Sequence, residues 1–169
     1  LHLLSRRQRQ MCIRDSYSPH TVEPTHPDFG FYGIHGVETL YTLLGTGCEA
    51  VSRIHSPMGD IVSGRWNDGR LGTFRAVVKG PAVYGGTAFT EKGTVAAGGY
   101  AGYKVLLDEI LRYFKSDASP VSKEETLEIF TFMKASNMSL ERGGRTVMMD
   151  EAYAEGMKEA RRLLEAYDE

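Results

Sequence analysis

The segment Phe31-Tyr32-Gly33-Ile34-His35-Gly36-Val37-Glu38 sets an imidazole among glycines where an apolar helical pattern begins. The positive end of a helix dipole disfavours a protonated ring, and a neutral imidazole exchanges protons with hydroxyl groups near neutral pH. Gly33 and Gly36 permit a ligand to come close. A histidine near a helix start also serves as a cap or a packing residue, and these residues alone leave both roles open.

Other motifs carry less. Gly45-Thr46-Gly47-Cys48-Glu49-Ala50 matches the G-x-G-x-x-A pattern of dinucleotide turns, but that chemistry needs a strand before the turn and a helix after it. Here a helical pattern enters and a strand pattern leaves, so the glycines read as a helix stop. Cys48 has no base in its motif and reads as a small buried residue. His20, His26 and Asp28 match no metal-ligand spacing, and no metal is expected. Glu91-Lys92, followed by Gly93, reads as a solvated hairpin turn.

The elements that position these groups follow from periodicity. Val37, Leu40, Tyr41 and Leu44 recur on one face of a helix spanning about 34–44. Strands are expected at about 50–55, 61–66, 70–79, 83–90 and 94–97. Asn67-Asp68-Gly69 marks a tight reversal, and short connections require antiparallel neighbours. Tyr103, Leu106, Leu107, Ile110, Leu111 and Phe114 form an apolar helical stripe. Ser122 with Glu125 matches a capping box opening a helix to about Leu140, and a last helix covers about 150–167. The expected fold is α+β: an open antiparallel meander of about five strands with helices packed on one face. Leu71, Thr73, Arg75 and Val77 alternate with Gly72, Phe74, Ala76 and Val78, which puts apolar residues on both faces and suggests an interface on the bare one.

A chain of 169 residues is the size of one domain. Its 41% hydrophobic and 25% charged residues argue for a globular protein rather than disorder. The net charge of −2 provides no basic field for nucleic acid, and no apolar run approaches the roughly 18 residues of a membrane helix. Cys12 and Cys48 make no disulfide framework. A cytoplasmic location is the expectation, a periplasmic one the alternative. Residues 1–16 (LHLLSRRQRQMCIRDS) resemble translated adapter sequence and are expected to be a non-native tail. Residues 17–30, with three prolines, are expected to be an extended entry loop.

Several of these residues together resemble the Gfo/Idh/MocA family, named for glucose–fructose oxidoreductase and inositol dehydrogenase. They are Thr25-His26-Pro27-Asp28, Tyr32 through Glu38, Leu44 through Gly47, Gly64 through Arg70, Gly72 through Arg75, Glu91-Lys92-Gly93, Gly99-Tyr100, Glu124-Glu125-Thr126 and Phe132-Met133. The resemblance implies that residues 17–169 are a C-terminal substrate-binding and oligomerisation domain. An N-terminal Rossmann domain, outside this chain, would hold NAD or NADP and a catalytic lysine. It implies an oxidoreductase acting on a sugar, polyol or related hydroxyl substrate, with the fragment inactive alone. His35 falls at the family's catalytic histidine and Glu38 at a further acidic position suited to a substrate hydroxyl, with Tyr32 as a substrate-binding neighbour. Phe31 stands where the family has an aspartate, a departure from its usual mechanism. Homo-oligomerisation through the open sheet face is the expected partnership, with neither nucleic acid nor membrane. The alternative is a non-catalytic, sheet-mediated scaffold.

Overall fold

The structure, a computed structural model, describes residues 13–21, 23–26, 28–97, 102–116 and 118–167. Residues 1–12 of the expected tail, Cys12 among them, lie outside the described residues, as do Pro27 and Gly99-Tyr100. Strands β1 (Ile13–Pro19), β2 (Cys48–Ser56), β3 (Gly59–Trp66), β4 (Leu71–Val77), β5 (Gly85–Thr90), β6 (Gly93–Ala97) and β7 (Val147–Met148) form one open sheet, ordered β6-β5-β1-β4-β3-β2-β7. The helices are α1 (Gly33–Leu44), α2 (Lys104–Ser116), α3 (Lys123–Glu141) and α4 (Met149–Tyr167). The class is α+β.

The strand β1 corrects the sequence reading in two ways. Ile13 to Ser16 are not a detached tail, and Tyr17 to Pro19 are not a loop. They run through the middle of the sheet, parallel to β4 and antiparallel to β5. The sheet is therefore mixed rather than wholly antiparallel, with seven strands instead of about five. The antiparallel run β2–β3–β4 and the β5–β6 hairpin occur as anticipated, but β1 separates β4 from β5. The cause is its composition. Arg14, Ser16 and Ser18 face the helix layer and are buried, so the strand lacks the apolar alternation that marks a half-buried strand.

The core lies between the sheet and two helices. Val37, Leu40, Tyr41 and Leu44 of α1 and Ile129, Phe132, Met133 and Ala135 of α3 pack onto Val51, Val62, Trp66 and Phe74. Tyr41, Trp66 and Phe132 meet ring to ring at 5.8–6.5 Å. Burying one such large side chain stabilises by about 1.5–3 kcal/mol. Gly36 lets α1 sit close: a methyl group there would overlap the Phe74 ring and the Ser18 hydroxyl. The α3 start matches its sequence signal, with the Ser122 hydroxyl accepting the Glu125 amide at 3.0 Å. Helix α4 packs on α3 and on the β2–β7 edge. Helix α2 departs from the expected layer. It buries no side chain among the described residues, and its apolar stripe faces solvent.

If β1 is integral, a chain lacking residues 1–19 loses its cooperative urea transition, because β4 and β5 each lose one of their two ladder partners and the β5–β6 hairpin is cut off from the rest of the sheet. Trp66 fluorescence follows this directly. An unchanged transition in the shortened chain would remove β1 from the fold.

Candidate functional site

The two ends of α1 are built differently. At its C-terminus the last carbonyls are taken by side chains. The Trp66 indole N–H donates to the Gly45 carbonyl at 2.9 Å, and the Arg70 guanidinium donates to the Leu44 carbonyl and to Asp68. A cation there also complements the helix dipole. The following turn has Gly45 at φ 73° and Gly47 at φ 107°, the left-handed region that favours glycine. The Glu128 carboxylate of α3 accepts the amides of Gly47 at 2.8 Å and Cys48 at 2.7 Å. A turn whose amides already face a carboxylate does not fit a pyrophosphate. Cys48 beside it is buried, and burial pushes its thiol up to about 12, which leaves it unreactive near neutral pH.

The N-terminus of α1 rests on a buried charge cluster. A short 3-10 turn, Asp28–Gly30, precedes the helix. Its Phe29 is buried edge-on against Phe74, with ring centroids 5.2 Å apart. The Arg53 guanidinium of β2 lies 4.2 Å from the Phe29 ring centroid. That guanidinium donates to Asp28, to Asp60 of β3 at 3.1 Å and to Asn137 of α3 at 3.0 Å. The Arg53 amide donates to the Ser139 hydroxyl. His20 reaches Asp28 at 3.4 Å, and the exposed His55 reaches Asp60 at 2.6 Å. Burial by itself raises the Asp28 carboxyl, but hydrogen bonds from His20 and Arg53 and the Arg53 charge outweigh it and hold the group below the usual carboxylate range. The Ser18 hydroxyl of β1 lies within hydrogen-bond distance of the Tyr32 and Gly33 carbonyls, at 3.3 and 3.4 Å.

On this base the sequence candidates converge. The His35 side chain is 52% exposed, and its Nδ1 lies 3.1 Å from the Glu38 carboxylate, itself 51% exposed. Among the described residues, His35 Nε2 has no hydrogen-bond partner. The Tyr32 ring lies 6.4 Å from the imidazole, so Tyr32, His35 and Glu38 share one exposed surface at the helix start. Phe31 contributes a ring, not a carboxylate: it packs on Tyr32 at 4.6 Å and on His26 at 5.3 Å. His26 pairs with Glu23, away from the His20–Asp28 pair, and Asp28 is occupied by a guanidinium. These three do not form a metal cluster.

One ring of the site escaped the sequence reading. Tyr84, just before β5, meets His35 at 5.9 Å. Burial raises its phenol, and proximity to Tyr32 adds to this. No local pattern marks it, because its place depends on β1 drawing β5 into the sheet. Arg53 and Asp60 were missed for a similar reason: charged residues in strand patterns read as solvent-facing.

The chain has the fold of one part of several dehydrogenases. It superimposes on the myo-inositol dehydrogenase of Lactobacillus casei in complex with NAD(H) and myo-inositol, with TM-score 0.62, 12% identity, and coverage of 81% of this chain and 52% of that one. The Corynebacterium glutamicum myo-inositol dehydrogenase gives TM-score 0.63 at 16% identity, covering 81% and 55%. The WlbA dehydrogenase of Bordetella pertussis, in complex with NADH and UDP-GlcNAcA, gives 0.58 at 15%, covering 80% and 53%. The chain thus spans about half the length of these structures. No protein-family model matches the sequence, and no curated protein matches it. Among the described residues, no helix is long and apolar enough to cross a membrane.

Replacing Arg53 with Met removes the guanidinium shared by Asp28 and the buried Asp60 and is expected to cost about 3 kcal/mol in urea unfolding. Because the folded-state pKa of Asp28 is depressed, its contribution is complete above about pH 4 and is lost as pH falls through the folded value. Asp28→Asn is therefore expected to be less stable than the parent at neutral pH, with a flatter acid limb in a plot of urea midpoint against pH. Equal slopes for the two chains would exclude Asp28 as an acid-sensitive lock.

Proposed function

We propose that this chain is the substrate-binding part of an NAD(P)-dependent oxidoreductase of the Gfo/Idh/MocA family, acting on a hydroxyl group of a sugar, polyol or related compound. The observation that carries this reading is the solvent-facing His35–Glu38 pair at the start of α1, in a fold shared with dehydrogenases solved with NAD(H) and myo-inositol. Residues 17–167, together with β1 from Ile13, make up the C-terminal domain. NAD or NADP belongs to an N-terminal Rossmann domain outside these residues, since the only glycine turn of dinucleotide type in this chain is closed by Glu128.

The nicotinamide supplies hydride acceptance; the residues here supply proton handling and orientation. A proton on His35 Nδ1, shared with the Glu38 carboxylate, leaves the Nε2 lone pair facing solvent as the acceptor for the substrate hydroxyl proton. Tyr32 and Glu38 are the substrate-binding neighbours. With Phe31 where the family has aspartate, the carboxylate nearest the imidazole is Glu38, one helical turn after His35 instead of one turn before it.

In the protein joined to its nucleotide-binding domain, His35→Ala is expected to lower kcat by about 100-fold or more and leave the oligomeric state unchanged. Activity at parental level would sink the proton-handling role. The chain alone is expected to bind neither NADH nor NADPH in calorimetry.

A second reading is supported by the bare sheet face. Phe89, Ile13 and Leu71 lie side by side in register there, and Ile54 pairs with Ile61 on the same face. All five are exposed, a pattern typical of an interface. Pairing of two copies through this face predicts that Leu71→Glu shifts the protein toward monomer in sedimentation. An unaltered sedimentation profile would place the contact elsewhere.

A further inference from the structure

We propose that α2 is a strap that docks along the free flank of α1, over the helix side of β5 and β6, and so extends the helix layer beside His35. The proposal stands on packing and chain path, and it is independent of the chemistry assigned to His35.

A helix and a surface of matching kind are both left open on this chain. Leu106, Leu107, Ile110, Leu111 and Phe114 form one stripe of α2, and all are 40–78% exposed. A helix of 13 residues is marginal in water without a surface to pack on. Arg14 and Ser16 of β1 face the helix layer. Their register partners Ala88 and Gly86 in β5, and next to these Val95 and Ala97 in β6, share that face. Helix α1 lies over β4, β1 and β5, and α3 lies over β2. The layer thins toward β6, where Val95 is 53% exposed. Leu43 of α1 lies against Gly86, so the row His35, Thr39 and Leu43, spaced four apart, is the flank of α1 that borders the open strands.

The path of the chain brings α2 to this place. Ala97, the last residue of β6, pairs with Gly86 at the start of β5. Just before it stands Tyr84, which meets His35 in the first turn of α1. At the far end, Glu128 of α3 bonds the amides of Gly47 and Cys48, just past the end of α1. Residues 98–122 therefore travel from the start of α1 to its end, in the direction of α1 itself. Thirteen helical residues rise about 20 Å, close to the roughly 18 Å of α1. From over β5 and β6 the link to α3 has to pass the end of α1, a distance of two interhelical spacings of about 8–10 Å each. Residues 117–122 reach about 20 Å when extended, and Pro120 favours extended backbone before it. The docked strap buries its stripe on Val95 and on the flank of α1, with its first turn beside Tyr84 and His35.

Hydrogen–deuterium exchange of the α2 amides in the 169-residue chain tests this. Docking is expected to slow them about tenfold or more relative to an unstructured peptide of the same sequence. Leu107→Glu on the stripe and Val95→Asp on the floor are each expected to remove most of that protection. Val105→Glu, on the opposite face of α2, is expected to keep it. The urea transition followed by Trp66 checks that each variant is folded, and Val95→Thr replaces Val95→Asp if the aspartate variant is not. The proposal is overturned if the α2 amides of the parent exchange at peptide rates, or if either the stripe or the floor substitution leaves them as slow as before. It is likewise overturned if the protection falls on dilution, which would assign the cover to a second copy. Protection that persists on dilution and is lost in both variants upholds it.

Discussion

The guanidinium of Arg53 joins four parts of the molecule at one point. It is carried by β2, pairs with Asp60 on β3, is held by Asn137 on α3, and grips Asp28 in the turn that leads into α1. Its remaining face covers Phe29. Removing a charge from water is costly, and the cost is offset only when hydrogen bonds and opposite charges surround it. Here Asp28, Asp60 and Asn137 do this for its two terminal nitrogens, and the geometry they demand is narrow. The turn before α1 can take few positions without breaking a buried pair, so the residues that follow it, Tyr32 and His35, are placed by the same constraint.

Helix α1 then works as a strut with one sealed end and one open end. Its C-terminal carbonyls are taken by Trp66 and Arg70, and the glycine turn beyond it by Glu128. This polarity leaves exposed polar side chains at the N-terminal end. The sealed end resembles a nucleotide-binding turn in sequence, yet its amides point at a carboxylate. The open end resembles nothing by composition except a histidine near glycines, yet it gathers an imidazole, two phenols and a carboxylate at the surface. A likeness in sequence pattern and the availability of hydrogen-bonding groups are separate matters, and only the second bears on binding.

How much of this was legible in the sequence differs by kind of signal. Helix α1, the β2–β3–β4 hairpins and α3 were readable because apolar period, turn residues and caps agreed at each of them. Tyr32, His35 and Glu38 were readable because they lie within one short segment, where local spacing fixes proximity. Strand β1 was hidden, since its inward residues are arginine and two serines, and β7, of two residues, is too short to leave a pattern. Tyr84 and the Arg53 cluster were hidden for another reason. Each is defined by contacts between elements far apart in the chain, and the strand order that makes those contacts depends on β1. One misread segment therefore concealed both the mixed sheet and the ring beside His35.

That strand also links the start of α1 to the bare face of the sheet. Its residues alternate across the sheet: Ser18 turns inward to the first carbonyls of α1, while Asp15 and Tyr17 turn to the bare face, where Asp15 accepts the Thr73 hydroxyl. Ser16 and Ser18 are small enough for α1 to lie directly on them, and larger inward side chains would lift the helix and its histidine away from Tyr84. A single-residue slip of β1 would exchange the faces, burying Asp15 and Tyr17 under α1 and exposing the serines. The register held by β4 on one side and β5 on the other is thus what keeps a close-packed helix above the sheet and the exposed Ile13, Leu71 and Phe89 below it.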